Sequence, residues 1–141
     1  MSEMVSPHIS LAEYACHCKF CGNSLPPDFK RDEDGEWPTI FEALFSRFEG
    51  IREIYGQSIP VTGYRCPRHE LNVSGKTISV HIFGLALDCT GDVDRLSSIV
   101  EENYPELRMG TYADGHIHID VGYLIHPRYS VDLAEGARWK A

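Results

Sequence analysis

Two short segments, Ser79–Asp88 and His116–Asp120, concentrate the side-chain types that bind metals and transfer protons. The second segment reads His-Ile-His-Ile-Asp, so polar and apolar residues alternate along it. Side chains two apart on a strand share a face, which puts His116, His118 and Asp120 together and the two isoleucines on the opposite side. One face is therefore expected to enter the core, and the other carries only groups that bind metal or move protons.

The first segment has a compatible pattern. Gly84 permits a turn between His81 and a following strand, on which Asp88 shares a face with the small residue Ala86. A catalytic zinc site takes three protein ligands, commonly two histidines and a carboxylate, and leaves a fourth position to water. We therefore interpret the two segments as one catalytic zinc site rather than as unrelated surface or core histidines.

Three motifs carry a resemblance to a known family: Ser79-x-His81-x-x-Gly84-x-Ala86-x-Asp88, His116-x-His118 and, upstream, Gly63-Tyr64-Arg65. From about Ser10 to Tyr123 the chain resembles the zinc D-Ala-D-Ala carboxypeptidase family, which also includes phage L-alanyl-D-glutamate endopeptidases and vancomycin-resistance D,D-dipeptidases. The resemblance implies a hedgehog/DD-peptidase-like fold. It also implies a zinc-dependent peptidase that hydrolyses an amide bond next to a D-amino acid in peptidoglycan stem peptides, as a carboxypeptidase or an endolysin-type endopeptidase.

The same resemblance implies roles for individual residues. Zinc is expected on His81, Asp88 and His118. His116 corresponds to the catalytic acid/base, and Arg65 to the group that anchors or polarises the substrate carboxylate or carbonyl. A histidine that titrates near neutrality can exchange protons with water and a leaving amine, and a guanidinium can hold a carboxylate through two parallel hydrogen bonds.

Three assignments stay open at this point. Other branches of the family use a carboxylate three residues before the last ligand, where this chain has Gly115, so Asp114 is the alternative acid/base. Asp120 either orients a ligand or the acid/base, or it faces water. Ser79 either binds substrate or orients the first histidine ligand.

Three of the five cysteines lie in the sequence Cys16-His-Cys18-Lys-Phe-Cys21. An odd number of cysteines without an export signal favours thiols or metal ligands over disulfides. These three could hold a structural metal with a fourth ligand from elsewhere: Cys66, Cys89, His8 or His17. The spacing is not followed by a second Cys/His pair at zinc-finger distance, so free thiols are the favoured interpretation.

Composition restricts the partners and the location. A net charge of −8 with only 13 lysines and arginines argues against nucleic acid, and against a cysteine-based nucleic-acid-binding module. No apolar run is long enough for a membrane span, and the start of the chain lacks the pattern of a signal peptide.

We expect a monomer that acts on a peptidoglycan-derived peptide, in the cytoplasm where it is made or after release to the cell wall as a phage lysin. The alternative is a non-catalytic zinc-binding module of the same fold.

The remaining pattern predicts a single α+β domain over residues 1–141, with a core of about 9–124, a polar C-terminal tail over 125–141 and a small, mainly antiparallel sheet with flanking helices. The predicted elements are a capping box at Ser10–Glu13, a main core helix from Pro38 to near Gly56, a strand at 59–62, a short helix from Pro67 to about Leu71, a loop at 72–77, a strand at 85–89, a helix between Asp92 and Pro105, strands at 107–111 and 116–121, and a last turn of helix within the segment from His126 onward.

Overall fold

A five-stranded sheet forms the centre of the protein in the computed structural model, which describes residues 3–74, 79–125 and 134–141. The strands are β1 (Met4–Ser6), β2 (Ile9–Ser10), β3 (Val61–Thr62), β4 (Ala86–Thr90), β5 (Arg108–Tyr112), β6 (His116–Asp120) and β7 (Arg138–Lys140). The helices are α1 (Leu11–Tyr14), α2 (Thr39–Tyr55), α3 (Pro67–Ser74) and α4 (Val93–Asn103), with 3₁₀ turns at Val80–Phe83 and Gly122–Leu124.

The central sheet has the strand order β3-β4-β6-β5-β7, and β1 and β2 form a separate antiparallel pair. Every neighbouring pair in the central sheet is antiparallel except β5 and β7, which run parallel. The predicted α+β class with a mainly antiparallel sheet is confirmed.

Helix α2 is the main core helix that the apolar spacing predicts. It follows Pro38 and ends at Gly56, whose φ of 75° is the left-handed conformation that glycine adopts without strain. Its buried stripe consists of Phe41, Leu44, Phe45, Phe48, Ile51 and Tyr55. Helix α4 packs against β5 and β6 of the central sheet, and α2 packs against α4 and β1. None of the helices in the described ranges is long and apolar enough to cross a membrane.

Local signals in the sequence account for several element boundaries. The capping box at Ser10 is present, because the Ser10 hydroxyl accepts from the Glu13 backbone N–H while the Glu13 carboxylate accepts from the Ser10 N–H. Asp92 caps α4 by accepting from the backbone N–H of Arg95. These short-range hydrogen bonds are encoded by neighbouring residues, so they could be predicted without knowing the fold.

Two element predictions need correction. Helix α3 continues to Ser74 instead of ending near Leu71, because neither glycine nor proline interrupts residues 68–74. Residues 75–77 of the predicted loop lie outside the described residues. At the C-terminus, residues 138–140 form strand β7 rather than a last turn of helix, because the free edge of β5 offers backbone partners; residues 126–133 lie outside the described part.

Gly63 gives a test of how tightly the core holds the loop that precedes Arg65. A Cβ at Gly63 would lie 2.6 Å from the Tyr14 ring, and Tyr14 is fully buried between Phe29 and Phe45. We expect Gly63→Ala to lower the unfolding free energy by about 1–3 kcal/mol through overpacking, measured by chemical denaturation. The exposed neighbour Thr62 serves as the control, with Thr62→Ala expected to change stability by about 0.5 kcal/mol or less. Equal stability of the two variants would mean that Tyr14 is free to move.

Candidate metal centre

The backbone brings three polar side chains from two parts of the chain to one place. Asp88 on β4 is the direct cross-strand partner of His118 on β6, so both side chains stand on the same face of the sheet. His81 comes from the 3₁₀ turn ahead of β4, which ends at Gly84 with a φ of 74°. Gly84 also lies against Tyr14, whose hydroxyl donates to the Gly84 carbonyl at 2.6 Å.

The ligand atoms of these three residues converge on one point. The candidate atoms of His81, Asp88 and His118 all lie within 4.8 Å of one another. Asp88 Oδ1 is 3.3 Å from His81 Nε2 and 3.2 Å from His118 Nδ1. Metal bonds of about 2.0–2.1 Å in a tetrahedral arrangement put neighbouring ligands about 3.3 Å apart, so the donor set fits a zinc-sized ion.

The other nitrogen of each histidine is held by an acceptor. His81 Nδ1 lies 2.7 Å from the Gly63 carbonyl, and His118 Nε2 lies 2.6 Å from Asp120 Oδ2. A carbonyl or carboxylate can only accept, so these nitrogens donate, and the nitrogens that face Asp88 are the ones that a metal would use. Ligand histidines in metalloproteins are typically oriented in this way.

Asp120 is the buried anchor of this arrangement. It is 0% exposed, it accepts from Arg108 Nη1 at 3.1 Å and from the Gly122 backbone N–H at 2.8 Å, and it accepts from His118. Burial opposes its ionisation, but the hydrogen bond and charge of His118 and the charge of Arg108 outweigh that effect and lower the pKa of Asp120. Of the two roles left open by the sequence, Asp120 is placed to orient a ligand rather than to face water.

Ionisation of the three candidate ligands follows from the same contacts. Burial lowers the pKa of His81. Burial also disfavours the charged form of His118, but its hydrogen bonds to Asp120 and Asp88 outweigh this and raise its pKa to about 9. For Asp88, hydrogen bonds from both histidines overcome burial and lower the pKa. A metal ion at His118 Nδ1 must therefore displace a proton, so metal binding is coupled to pH.

Arg65 reaches the centre from the loop between β3 and α3. Its Nη2 donates to Asp88 Oδ2 at 2.7 Å, and its Nη1 donates to Glu70 Oε2 at 2.9 Å. Glu70 is 2% exposed, and its pKa is lowered because hydrogen bonds from Ser79 and Arg65 outweigh burial. Arg65 therefore also positions a candidate ligand, a contact that the sequence does not indicate.

His116 lies on the same face of β6 as His118, towards the start of the strand. Its Nδ1 is hydrogen-bonded to Asp114, and its ring stacks on Tyr112 with centroids 4.3 Å apart. The two residues that the sequence offered as alternative acid/base groups are therefore in direct contact. Ser79, in turn, accepts a hydrogen bond from the His81 backbone N–H at 3.2 Å, which places it beside the first candidate histidine ligand.

Strand β5 contributes residues that sequence reasoning missed. Arg108, Gly110 and Tyr112 are the direct cross-strand partners of Asp120, His118 and His116, respectively. A Cβ at Gly110 would lie 2.2 Å from the Trp139 indole, and that ring sits 5.3 Å from the His118 ring. A glycine inside a strand indicates that another group approaches the backbone closely. Gly110 was therefore the signal in the sequence for a side chain packed over this part of β5.

The cysteine loop forms a second group of candidate ligands. Cys16, Cys18 and Cys21 converge with Cys66, which precedes α3. The other three residues considered as a fourth ligand lie elsewhere: His8 contacts Glu49, His17 contacts the Ala12 carbonyl, and Cys89 is buried on the core face of β4.

Comparison with known proteins gives a single finding that bears on identity. A model of the peptidase M15 family matches residues 8–120, a span that contains His81, Asp88 and His118. No curated protein and no solved structure matches the chain in the corresponding searches. Because the matched span covers most of the 141 residues, the chain belongs to the peptidase M15 family of metallopeptidases.

Proposed function

We propose that the protein is a zinc-dependent peptidase that hydrolyses an amide bond next to a D-amino acid in peptidoglycan stem peptides, as a D-Ala-D-Ala carboxypeptidase or an endolysin-type endopeptidase. The observation that carries the proposal is the convergence of His81 Nε2, Asp88 Oδ1 and His118 Nδ1 at zinc-ligand separations. Family membership supports the peptidase chemistry. The D-amino acid context rests on the motif resemblance, and the −8 charge favours a peptide over a nucleic acid as the partner.

His81, Asp88 and His118 are the residues that would hold the zinc ion. The chemistry that zinc supplies when bound is polarisation of the scissile carbonyl and activation of a water molecule. The neutral imidazoles of His81 and His118 and the carboxylate of Asp88 would hold it, because each presents a lone pair towards the same point. Asp120 keeps His118 in the tautomer whose Nδ1 is free for this purpose.

His116 is assigned as the acid/base. Because its Nδ1 is engaged by Asp114, its Nε2 is the nitrogen left to take a proton from the attacking water. The new carbon–oxygen bond forms as the water attacks and loses this proton, and the same nitrogen then returns the proton to the leaving amine as the carbon–nitrogen bond breaks. Asp114 is assigned the role of orienting the imidazole and stabilising its protonated form.

Arg65 is assigned as the group that anchors the substrate carboxylate or carbonyl. A guanidinium carries five N–H donors, and two of those of Arg65 are used by Asp88 and Glu70. The remaining donors can reach a ligand because the side chain is 19% exposed. A peptide with a free C-terminal carboxylate, as a carboxypeptidase requires, would gain most from this contact.

We expect the protein to work as a monomer, in the cytoplasm or as a lysin released to the cell wall, without a nucleic-acid or membrane partner.

Substitution of the acid/base should separate catalysis from metal binding. We expect His116→Ala to keep its zinc and to lose about 10²-fold or more in turnover, because proton transfer is lost while the ligands remain. His118→Ala and Asp88→Asn should lose both zinc and activity, measured by elemental analysis and peptide hydrolysis. His8→Ala is the control. Because His8 contacts Glu49 and none of the candidate ligands, we expect this variant to retain zinc and activity.

A double variant tests the coupling of Asp114 to His116. If Asp114 acts only through the imidazole, His116→Ala/Asp114→Asn should be about as slow as His116→Ala alone. Normal hydrolysis by His116→Ala would contradict the assignment and make Asp114 the acid/base.

Asp120→Asn should weaken the metal centre without touching a ligand atom. An asparagine amide can donate to His118 Nε2, which moves the histidine proton to Nδ1, where it competes with the metal. We expect a loss of about 10–100-fold in zinc affinity, measured by competition with a chelator of known affinity. Asp94→Asn, in the first turn of α4, serves as the control and should leave zinc affinity unchanged. Wild-type affinity for Asp120→Asn would show that the orienting contact is dispensable.

Mass spectrometry of purified peptidoglycan fragments tests the proposed substrate directly. We expect chelator-sensitive release of D-Ala, which would identify a carboxypeptidase, or of stems cut after L-Ala, which would identify an endopeptidase. Zinc restored after chelation should restore the product. If zinc-loaded protein gave no new product, the proposed peptidoglycan activity would be wrong, and the non-catalytic zinc-binding module would become the better account.

A further inference from the structure

Four thiols meet on the side of the molecule where the N-terminal loop touches the start of α3. Cys16, Cys18 and Cys21 follow α1, and Cys66 directly precedes α3. Their sulfur atoms all lie within 4.8 Å of one another. Cys18 Sγ is 3.3 Å from Cys21 Sγ and 3.5 Å from Cys66 Sγ, and all four cysteines are free thiols.

These separations suit a tetrahedral metal better than a disulfide. Zn–S bonds of about 2.3 Å place neighbouring sulfurs about 3.8 Å apart, and the shortest separations here fall within about 0.5 Å of that value. A disulfide needs sulfurs about 2.05 Å apart and would use only two of the four. The arrangement therefore matches the four-cysteine type of structural zinc site.

Backbone hydrogen-bond donors that point at two of the four sulfurs, Cys16 Sγ and Cys66 Sγ, are a second geometric observation. The Cys66 backbone N–H donates to Cys16 Sγ at 3.3 Å, and the His69 backbone N–H donates to Cys66 Sγ at 3.4 Å. His69 Nδ1 lies 3.2 Å from Cys16 Sγ. Donors that point at sulfur stabilise its negative charge, as the surroundings of metal-bound ligands commonly do.

The four cysteines lie where a bound metal would stabilise a long irregular segment of the chain. Residues 15–38 contain no helix or strand, so this long segment has no backbone ladder to hold it. Cys16 is 0% exposed and Cys66 is 8% exposed, whereas Cys18 and Cys21 are partly exposed and leave a route for an ion to enter. A metal here would tie the segment to the residue next to Arg65, whose guanidinium contacts Asp88.

We propose that the protein binds a structural zinc ion, separate from the one at the metal centre, through four thiolates: Cys16, Cys18, Cys21 and Cys66. Each thiol gives up its proton to solvent when the ion binds. His69 hydrogen-bonds to the bound sulfur of Cys16 and is not itself a ligand. The site cross-links the N-terminal loop to the β3–α3 connection and thereby fixes the position of Arg65.

Metal stoichiometry of the full chain, purified under reducing conditions, tests this inference. We expect about two zinc ions per chain in the wild type and about one in Cys18→Ser/Cys66→Ser. Cys89→Ala, which removes the thiol outside the cluster, is the matched control and should keep both ions. His118→Ala should lose only the ion of the metal centre, so failure of this proposal and failure of the proposed function give different results.

Cobalt replacement gives a readout that does not depend on how well the cysteine variants fold. We expect the cobalt-loaded wild-type chain to show intense sulfur-to-cobalt charge-transfer bands, retained in His118→Ala. A wild-type chain with one zinc ion and no such bands would overturn the proposal, as would a Cys18–Cys21 disulfide in place of metal.

Discussion

The buried carboxylate of Asp120 is the constraint on which the candidate metal centre depends. A fully buried charge is costly unless it is paired and hydrogen-bonded, and Asp120 is paired with Arg108 while it accepts from the Gly122 backbone and from His118. Because a carboxylate can only accept, His118 must donate through Nε2, and its Nδ1 is turned towards Asp88. The orientation of one candidate ligand is thus determined by an ion pair inside the protein rather than by the metal.

Strand pairing extends this constraint to the rest of the site. Ile117 and Ile119 are fully buried in the core, so β6 has a fixed register. A slip of one residue would move both isoleucines to the polar face and turn the polar side chains into the core. With that register, Asp88 from β4 and Gly110 from β5 lie on either side of His118. The hydrophobic effect on one face of the sheet therefore sets the geometry of the polar groups on the other.

Sequence reasoning succeeded where the signal was local. Two-residue alternation predicted the shared face of His116, His118 and Asp120, and the capping box and the stripe of α2 followed from spacings within one or two turns. Contacts between distant segments could not be read in this way. Arg65 against Asp88, Trp139 against Gly110 and Cys66 beside the cysteine loop depend on how separate elements pack, and no spacing rule links such positions. Candidate ligand types were therefore visible in the sequence, while the residues that orient them were not.

Diffraction from zinc-loaded crystals, measured on both sides of the zinc absorption edge, tests the central claim most directly. Our account predicts an anomalous peak about 2.0–2.2 Å from His81 Nε2, Asp88 Oδ1 and His118 Nδ1, with His118 Nε2 still on Asp120. A peak coordinated by His118 Nε2, or zinc bound elsewhere with this position empty, would contradict it. Either result would show that the Asp120 contact does not set the metal-binding face of the histidine.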